Sequence, residues 1–159
     1  MAPIVLATSL PAEYGFVLLS ATTTFIVTQW HAIRVGSFRK AAGVPYPNAY
    51  ASAEQIATAT PEKKQALYLF NCAQRSHGNL LENLHIFLPA MLLAGLKYPL
   101  PVAIAGGFWN VFRVLYAVGY TRKDKTNGSG RIVGGALASL LQLVLMGVVG
   151  KLGYDVIKA

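Results

Sequence analysis

The sequence predicts an all-α, membrane-integral protein: a bundle of four transmembrane helices running up and down. Three observations predict it. Hydrophobic residues make up 54% of the 159 and charged residues only 13%, about half the charged share of an ordinary soluble domain; mean hydropathy is +0.45. The apolar residues fall in four runs, each close to or beyond the roughly twenty residues that cross a bilayer. The 14 lysines and arginines, behind a net charge of +8, gather at the ends of these runs, which is the membrane pattern and argues against nucleic acid as a partner.

The first run, "YGFVLLSATTTFIVTQWHAI" from Tyr14 to Ile33, is long enough to span. The preceding "MAPIVLATSLPAEYG" has no basic n-region, so this helix is expected to be retained rather than cleaved as a signal peptide. The second run, about residues 64–96, begins polar and turns apolar in "IFLPAMLLAGL". At 1.5 Å per residue it is close to 50 Å long against a hydrocarbon core of about 30 Å, so its start is expected to project from the membrane. The prolines of "KYPLP" separate it from the third run, about 100–120. The polar, glycine-rich "TRKDKTNGSG" precedes the fourth, about 131–157. With the first helix taken as about 14–37, residues 1–159 read as one transmembrane domain. A single cysteine, Cys72, excludes an internal disulfide.

Charge placement orients the bundle. Arg34, Arg39, Lys40, Lys63 and Lys64 lie in the first connection and Arg122, Lys123, Lys125 and Arg131 in the third, while the second holds only Lys97. Four alternating spans put both basic connections on one side, which the positive-inside rule assigns to the cytosol.

The second run carries an unusual load. Indexed at 100° per residue, Asn71, Arg75, Asn79 and Glu82 share a stripe of about 80°. An ionised residue at bilayer centre costs from about 3 to over 10 kcal/mol, so such a stripe must face other helices, water or a polar ligand. Asn110, Arg113, Tyr116 and Tyr120 form a second polar face on the third run at similar depth, and Arg131 opens the fourth on the same side. Arg75 and Glu82, two turns apart, can pair and merely fix packing. The cations outnumber the one glutamate, however, and an inward-facing positive surplus suits an anionic guest. Other chemistries are poorly served. Glu82 and His85 give one Glu-x-x-His without the second copy a di-iron bundle needs, so no metal is expected. Cys72 reads as a small buried hydrophobe, and His31 as an interfacial anchor beside Trp30.

"FNCAQRSHGNLLE" resembles the Arg-x-x-x-Asn-x-x-Glu signature of the membrane-associated proteins in eicosanoid and glutathione metabolism. "YGFVLLSATTTFIV" and "RVLYAVGY" extend the similarity from Tyr14 to about Leu152. The resemblance implies a homotrimer of four-helix subunits, multi-pass in the endoplasmic reticulum membrane, with glutathione as co-substrate bound between neighbouring subunits on the cytosolic side. By motif position, Arg75, Asn79 and Glu82 would hold glutathione, with Tyr116 and Tyr120 lining the site from the third helix. Arg39 matches a basic residue contacting the tripeptide and His77 a polar contact. Arg131 matches the arginine that activates the thiol, and Lys40 an arginine proposed as proton donor in the leukotriene-conjugating relative. That relative has tyrosine where this chain has Asn83, and a shorter loop before the fourth helix.

The residue types suit this chemistry. Arginines match carboxylates bidentately, Glu82 suits an ammonium, and a cation near a thiol raises the thiolate fraction. The expected function is a membrane-bound transferase joining glutathione to lipophilic electrophiles, with glutathione-dependent peroxidase activity toward lipid hydroperoxides. Membrane lipid is then a standing partner. A non-catalytic lipid-binding or scaffold protein of the same fold is a second reading. A small channel, which would need polar residues through the full depth, is a third.

Overall fold

The structure is a computed structural model and describes residues 10–125 and 127–158. The tail before residue 10, part of the stretch read for a signal peptide, lies outside them. Among the described residues there is no strand. The order is α1 (Tyr14–Ala42), α2 (Ala53–Thr58), α3 (Pro61–Gly95), α4 (Pro99–Tyr120), a 3-10 turn (Ser129–Arg131) and α5 (Ile132–Lys158).

Each boundary has a local cause. α1 continues past the expected residue 37 because nothing stops it before Gly43, which takes the left-handed conformation at φ 59°. Glycine is the residue that adopts this readily, and its N–H and that of Val44 donate to the Lys40 and Arg39 carbonyls. α2, which the hydropathy reading passed over, is capped by Ser52. The Ser52 hydroxyl accepts from the Gln55 N–H and the Gln55 side chain accepts from the Ser52 N–H, a reciprocal capping box. Pro61 and Pro99 occupy the first turns of α3 and α4, where a missing N–H costs nothing.

Among the described residues, three helices are long and apolar enough to cross a membrane: α1, α4 and the segment Ser129–Lys158. α3, expected as the second span, is not among them, because Arg75, Asn79, Glu82, Asn83 and His85 interrupt its apolar character. α3 and α4 form the inner pair; both pack on α1 and on α5, while α1 and α5 lie on opposite flanks.

The helices are turned as lipid requires, with large apolar groups outward. Phe16, Leu18, Leu19, Phe25 and Ile26 of α1 are exposed, while Ser20, Ala21, Thr24 and His31 are buried. On α5 the buried seam is Gly134, Ala138, Gln142 and Leu145. Small residues let backbones approach, and in hydrocarbon close packing takes over the role that the hydrophobic effect has in water. A Cβ on Gly134 would sit 2.5 Å from the Tyr116 nitrogen and 2.7 Å from the Phe112 oxygen, both backbone atoms of α4. The core between the helices is filled by Leu80, Phe87, Met91 and Trp109, with Phe87 and Trp109 stacked at 3.8 Å between ring centres. A second cluster, including Val35, Ala42, Val44, Leu67 and Phe70, joins the end of α1 to the start of α3.

Candidate functional site

The helical spacing of Arg75, Asn79 and Glu82 brings their side chains together along α3. The Arg75 guanidinium donates to both Glu82 carboxylate oxygens, at 2.6 and 3.3 Å. Asn79 Nδ2 donates to Glu82 at 3.4 Å. Its Oδ1 accepts from Arg113 Nη2 of α4 at 2.9 Å, so both ends of the amide are occupied in a fixed sense. In the single chain the Arg75 and Glu82 side chains are 48% and 52% exposed. Arg113 is buried, its guanidinium 5.4 Å from the Trp109 ring centre and 4.9 Å from that of Tyr116.

From Tyr116 the contacts continue toward α5. Tyr116 and Tyr120, one turn apart, meet edge to face at 5.6 Å, and the Arg131 guanidinium lies 4.7 Å from the Tyr120 ring centre. Arg131 Nη1 also donates to the Gly128 carbonyl at 2.7 Å. Gly128 has φ 66°, and a Cβ there would strike the Tyr120 ring at 2.6 Å, so a glycine lets the turn lie against the tyrosine. Gly119 and Gly130 touch backbone to backbone: a Cβ on either would come within 2.3 Å of the other's carbonyl oxygen. Arg131 thereby sits at the start of α5, where the helix dipole adds to its positive charge.

Arg75, Glu82, Asn79, Arg113, Tyr116, Tyr120 and Arg131 thus form one continuous path of contacts from three helices. Three guanidiniums along one path share one carboxylate, which is a surplus a carboxylate-bearing guest can match.

The other candidate residues lie elsewhere. Arg39 is buried at the end of α1, donating to the Asn48 carbonyl at 2.7 Å, with its guanidinium over Tyr46 at 4.3 Å and Phe70 at 4.7 Å. With Lys40, which is exposed, it lines an open cavity of about 300 Å³ below Pro45 and Tyr46. Within one chain neither residue is bonded to the Arg75 path. Nor is His77, which lies two residues from Arg75, about 200° around the helix, and faces His31 of α1 at 6.2 Å between ring centres. The Asn83 amide donates to the Asn79 carbonyl at 2.7 Å and so is engaged by its own helix. Asn110, read as part of the polar face of α4, instead donates to the Thr24 hydroxyl at 3.0 Å and ties α4 to α1.

Two readings need correction. His31 is not an exposed anchor: it is 2% exposed, because it falls seven residues after Thr24 on the inner stripe of α1. The Arg75–Glu82 pair is not buried within the single chain. Sequence reasoning also gave no role to Arg113 as the group orienting Asn79; its spacing from Tyr116 was the available signal. Cys72 is buried and free, beside Tyr68.

Comparison with known proteins adds two findings. Residues 17–151 match the model of the MAPEG family, the membrane-associated proteins that the α3 motif resembles. The chain is also 40% identical over 84 residues to the uncharacterized protein sll1147 of Synechocystis sp.. That match covers 52% of this chain and 57% of the relative's length.

Proposed function

The chain belongs to the MAPEG family, and from that premise we propose that it is a membrane-bound glutathione transferase acting on lipophilic electrophiles, with glutathione-dependent peroxidase activity toward lipid hydroperoxides. In this reading the stretches flanking the α3 motif resemble microsomal glutathione S-transferase 3. The observation that carries the reading is the continuous path from Arg75 to Arg131, in which three arginines accompany one glutamate. Glutathione brings two carboxylates, an ammonium and a thiol. Arg75 and Asn79 are assigned to a carboxylate and Glu82 to the ammonium. The Tyr116 and Tyr120 rings line the route to Arg131, whose guanidinium stabilises the thiolate electrostatically rather than removing the proton itself.

In conjugation the thiolate attacks an electrophilic carbon, a carbon–sulfur bond forms, and the leaving group departs with the bonding pair. Lys40 is assigned to deliver a proton to it. In peroxide reduction the thiolate takes the outer oxygen, the O–O bond breaks and an alcohol leaves. A second glutathione then converts the sulfenic acid to disulfide and water. An apolar electrophile approaches from the lipid, which accounts for placing thiol chemistry in a bilayer.

An exposed Arg75–Glu82 pair cannot face hydrocarbon at this cost, so in this reading α3 is the fourth crossing and its polar stripe is covered by a neighbouring subunit of a homotrimer. The neighbour's Arg39 and Lys40 complete each site, and the basic connections face the cytosol from the endoplasmic reticulum membrane.

One observation favours a second reading, a non-catalytic lipid-binding or scaffold protein: Arg75 and Glu82 already satisfy one another. Purified protein in detergent, given glutathione and a chromogenic electrophile, separates the two. Thioether formation supports the enzyme; bound glutathione without turnover supports the scaffold, and no glutathione binding refutes the site.

A further inference from the structure

A second cationic pocket, to which none of the seven residues of this path belongs, lies beside it at Tyr68. It is a cavity of about 280 Å³ lined by Ile56 of α2, Lys64, Gln65, Tyr68 and Leu69 of α3, and Lys123 of the α4–α5 connection. Its two ammoniums come from segments far apart in sequence, and its lining holds no acid. Among the described residues neither lysine is in an ion pair. The nearest acid in sequence to Lys123 is Asp124, which is claimed by Arg122 through two hydrogen bonds at 3.0 and 2.7 Å. That guanidinium holds the Asp124 carboxyl below the usual carboxylate range, so it remains a matched pair. Lys63, the other lysine of the first turn of α3, points instead toward Gly43 at the end of α1.

Depth identifies the chemistry. α4 ends at Tyr120, 22 residues and about 33 Å from its start at 1.5 Å per residue, and Lys123 follows in the connection beyond it. A bilayer is about 30 Å thick in hydrocarbon and 40–45 Å with its headgroups, which places the lysines at headgroup level above an apolar floor of Ile56 and Leu69. The volume sits near the low end of small-molecule sites, about 300–1,000 Å³, enough for a headgroup whose acyl chains remain in the bilayer. A juxtamembrane lysine contributes favourably to binding anionic lipid, and its effect fades within a Debye length, so a groove holding two of them is selective by charge.

We propose that this pocket binds the headgroup of an anionic phospholipid, with Lys64 and Lys123 on its phosphate and Gln65 on its polar substituent. None of its lining residues is assigned to glutathione, so loss of lipid preference and loss of glutathione binding are separate readouts.

The test is native mass spectrometry of the full chain released from mixed micelles containing equal phosphatidylglycerol and phosphatidylcholine. The intact protein is expected to retain phosphatidylglycerol preferentially. The Lys64→Gln/Lys123→Gln double variant should lose roughly thirtyfold in that preference, from about one juxtamembrane lysine's contribution each. Lys64→Arg/Lys123→Arg should keep it, as should Lys151→Gln/Lys158→Gln, which removes the same charge on α5. No lipid preference in the intact protein, or an equal fall in both glutamine doubles, overturns the proposal. Displacement of the lipid by inorganic phosphate alone overturns it too, because the pocket would then read a free anion rather than an amphiphile. All four lysines carry no buried contact that folding depends on, and unchanged melting of the variants checks this.

Discussion

Gly134→Ala tests whether the seam between α4 and α5 holds Arg131 in place. The added methyl would lie 2.5 Å from the Tyr116 nitrogen, 2.7 Å from the Phe112 oxygen and 2.9 Å from the Tyr116 Cα. All are backbone atoms, so no side chain can swing aside. Ordinary contact needs about 3.5 Å, and α5 must therefore back away by roughly 1 Å. Overpacking of this kind costs about 1–3 kcal/mol, partly offset by the roughly 1 kcal/mol that alanine gains over glycine in a helix. The net is a fall of a few degrees in melting temperature, at about 2–4 °C per kcal/mol for a chain of this size. Activity is more sensitive. Arg131 precedes Gly134 by one turn, and a 1 Å misplacement can cost on the order of a hundredfold in rate. Gly147, with nothing within 4 Å of its would-be Cβ, is the control; Gly147→Ala should melt no lower than the parent. Thermal melting in detergent and thioether formation with a chromogenic electrophile read both effects. A Gly134→Ala protein with parental melting and turnover would refute the argument that this seam positions the arginine.

Arg131→Gln should lower conjugation at neutral pH by about a hundredfold or more, with a far smaller loss of glutathione affinity by calorimetry. Loss of the cation raises the thiol pKa toward its ordinary value of about 8.5, so the rate should recover as pH rises; a parallel loss of affinity and rate contradicts the role. Exchanging the α3 pair, Arg75→Glu with Glu82→Arg, should restore the melting temperature lost in Arg75→Glu alone while glutathione binding stays impaired. Recovery of binding as well would mean that the pair serves packing only. Arg113→Leu frees the Asn79 carbonyl oxygen and should weaken glutathione binding about tenfold, in line with a charge-assisted bond of 1.5–3 kcal/mol; a calorimetric affinity equal to the parent's would remove Arg113 from the path.

Some of this architecture was readable from residue spacing, and the reasons for the remainder are physical. Arg75, Asn79 and Glu82 meet because four- and three-residue steps return to one helix face, so the 100° rule sufficed. His77 shows the limit of carrying a motif across as a list: placed by position alone, it ignores the helical phase that turns it toward His31. The burial of His31 was hidden by lipid. When large apolar residues face outward and serine, threonine and histidine inward, the amphipathic contrast that marks a soluble helix nearly vanishes. α2 was legible in Ser52 and Gln55, which satisfy the capping-box spacing, but a hydropathy scan has no reason to stop at six residues. The Gly119–Gly130 contact was beyond reach, because no local pattern says which two glycines will touch across a turn.

That contact has a consequence for the segment between its two ends. With Gly119 and Gly130 pressed together and α5 seated on Gly134, the intervening turn is anchored at both feet, and Gly128, bonded through its carbonyl to Arg131, belongs to the second foot. The crest is thus a splice point. A few extra residues near the exposed Asp124, or an epitope tag, can be accommodated there while the guanidinium downstream keeps its station, and a chain with a longer turn need not pay for it in chemistry.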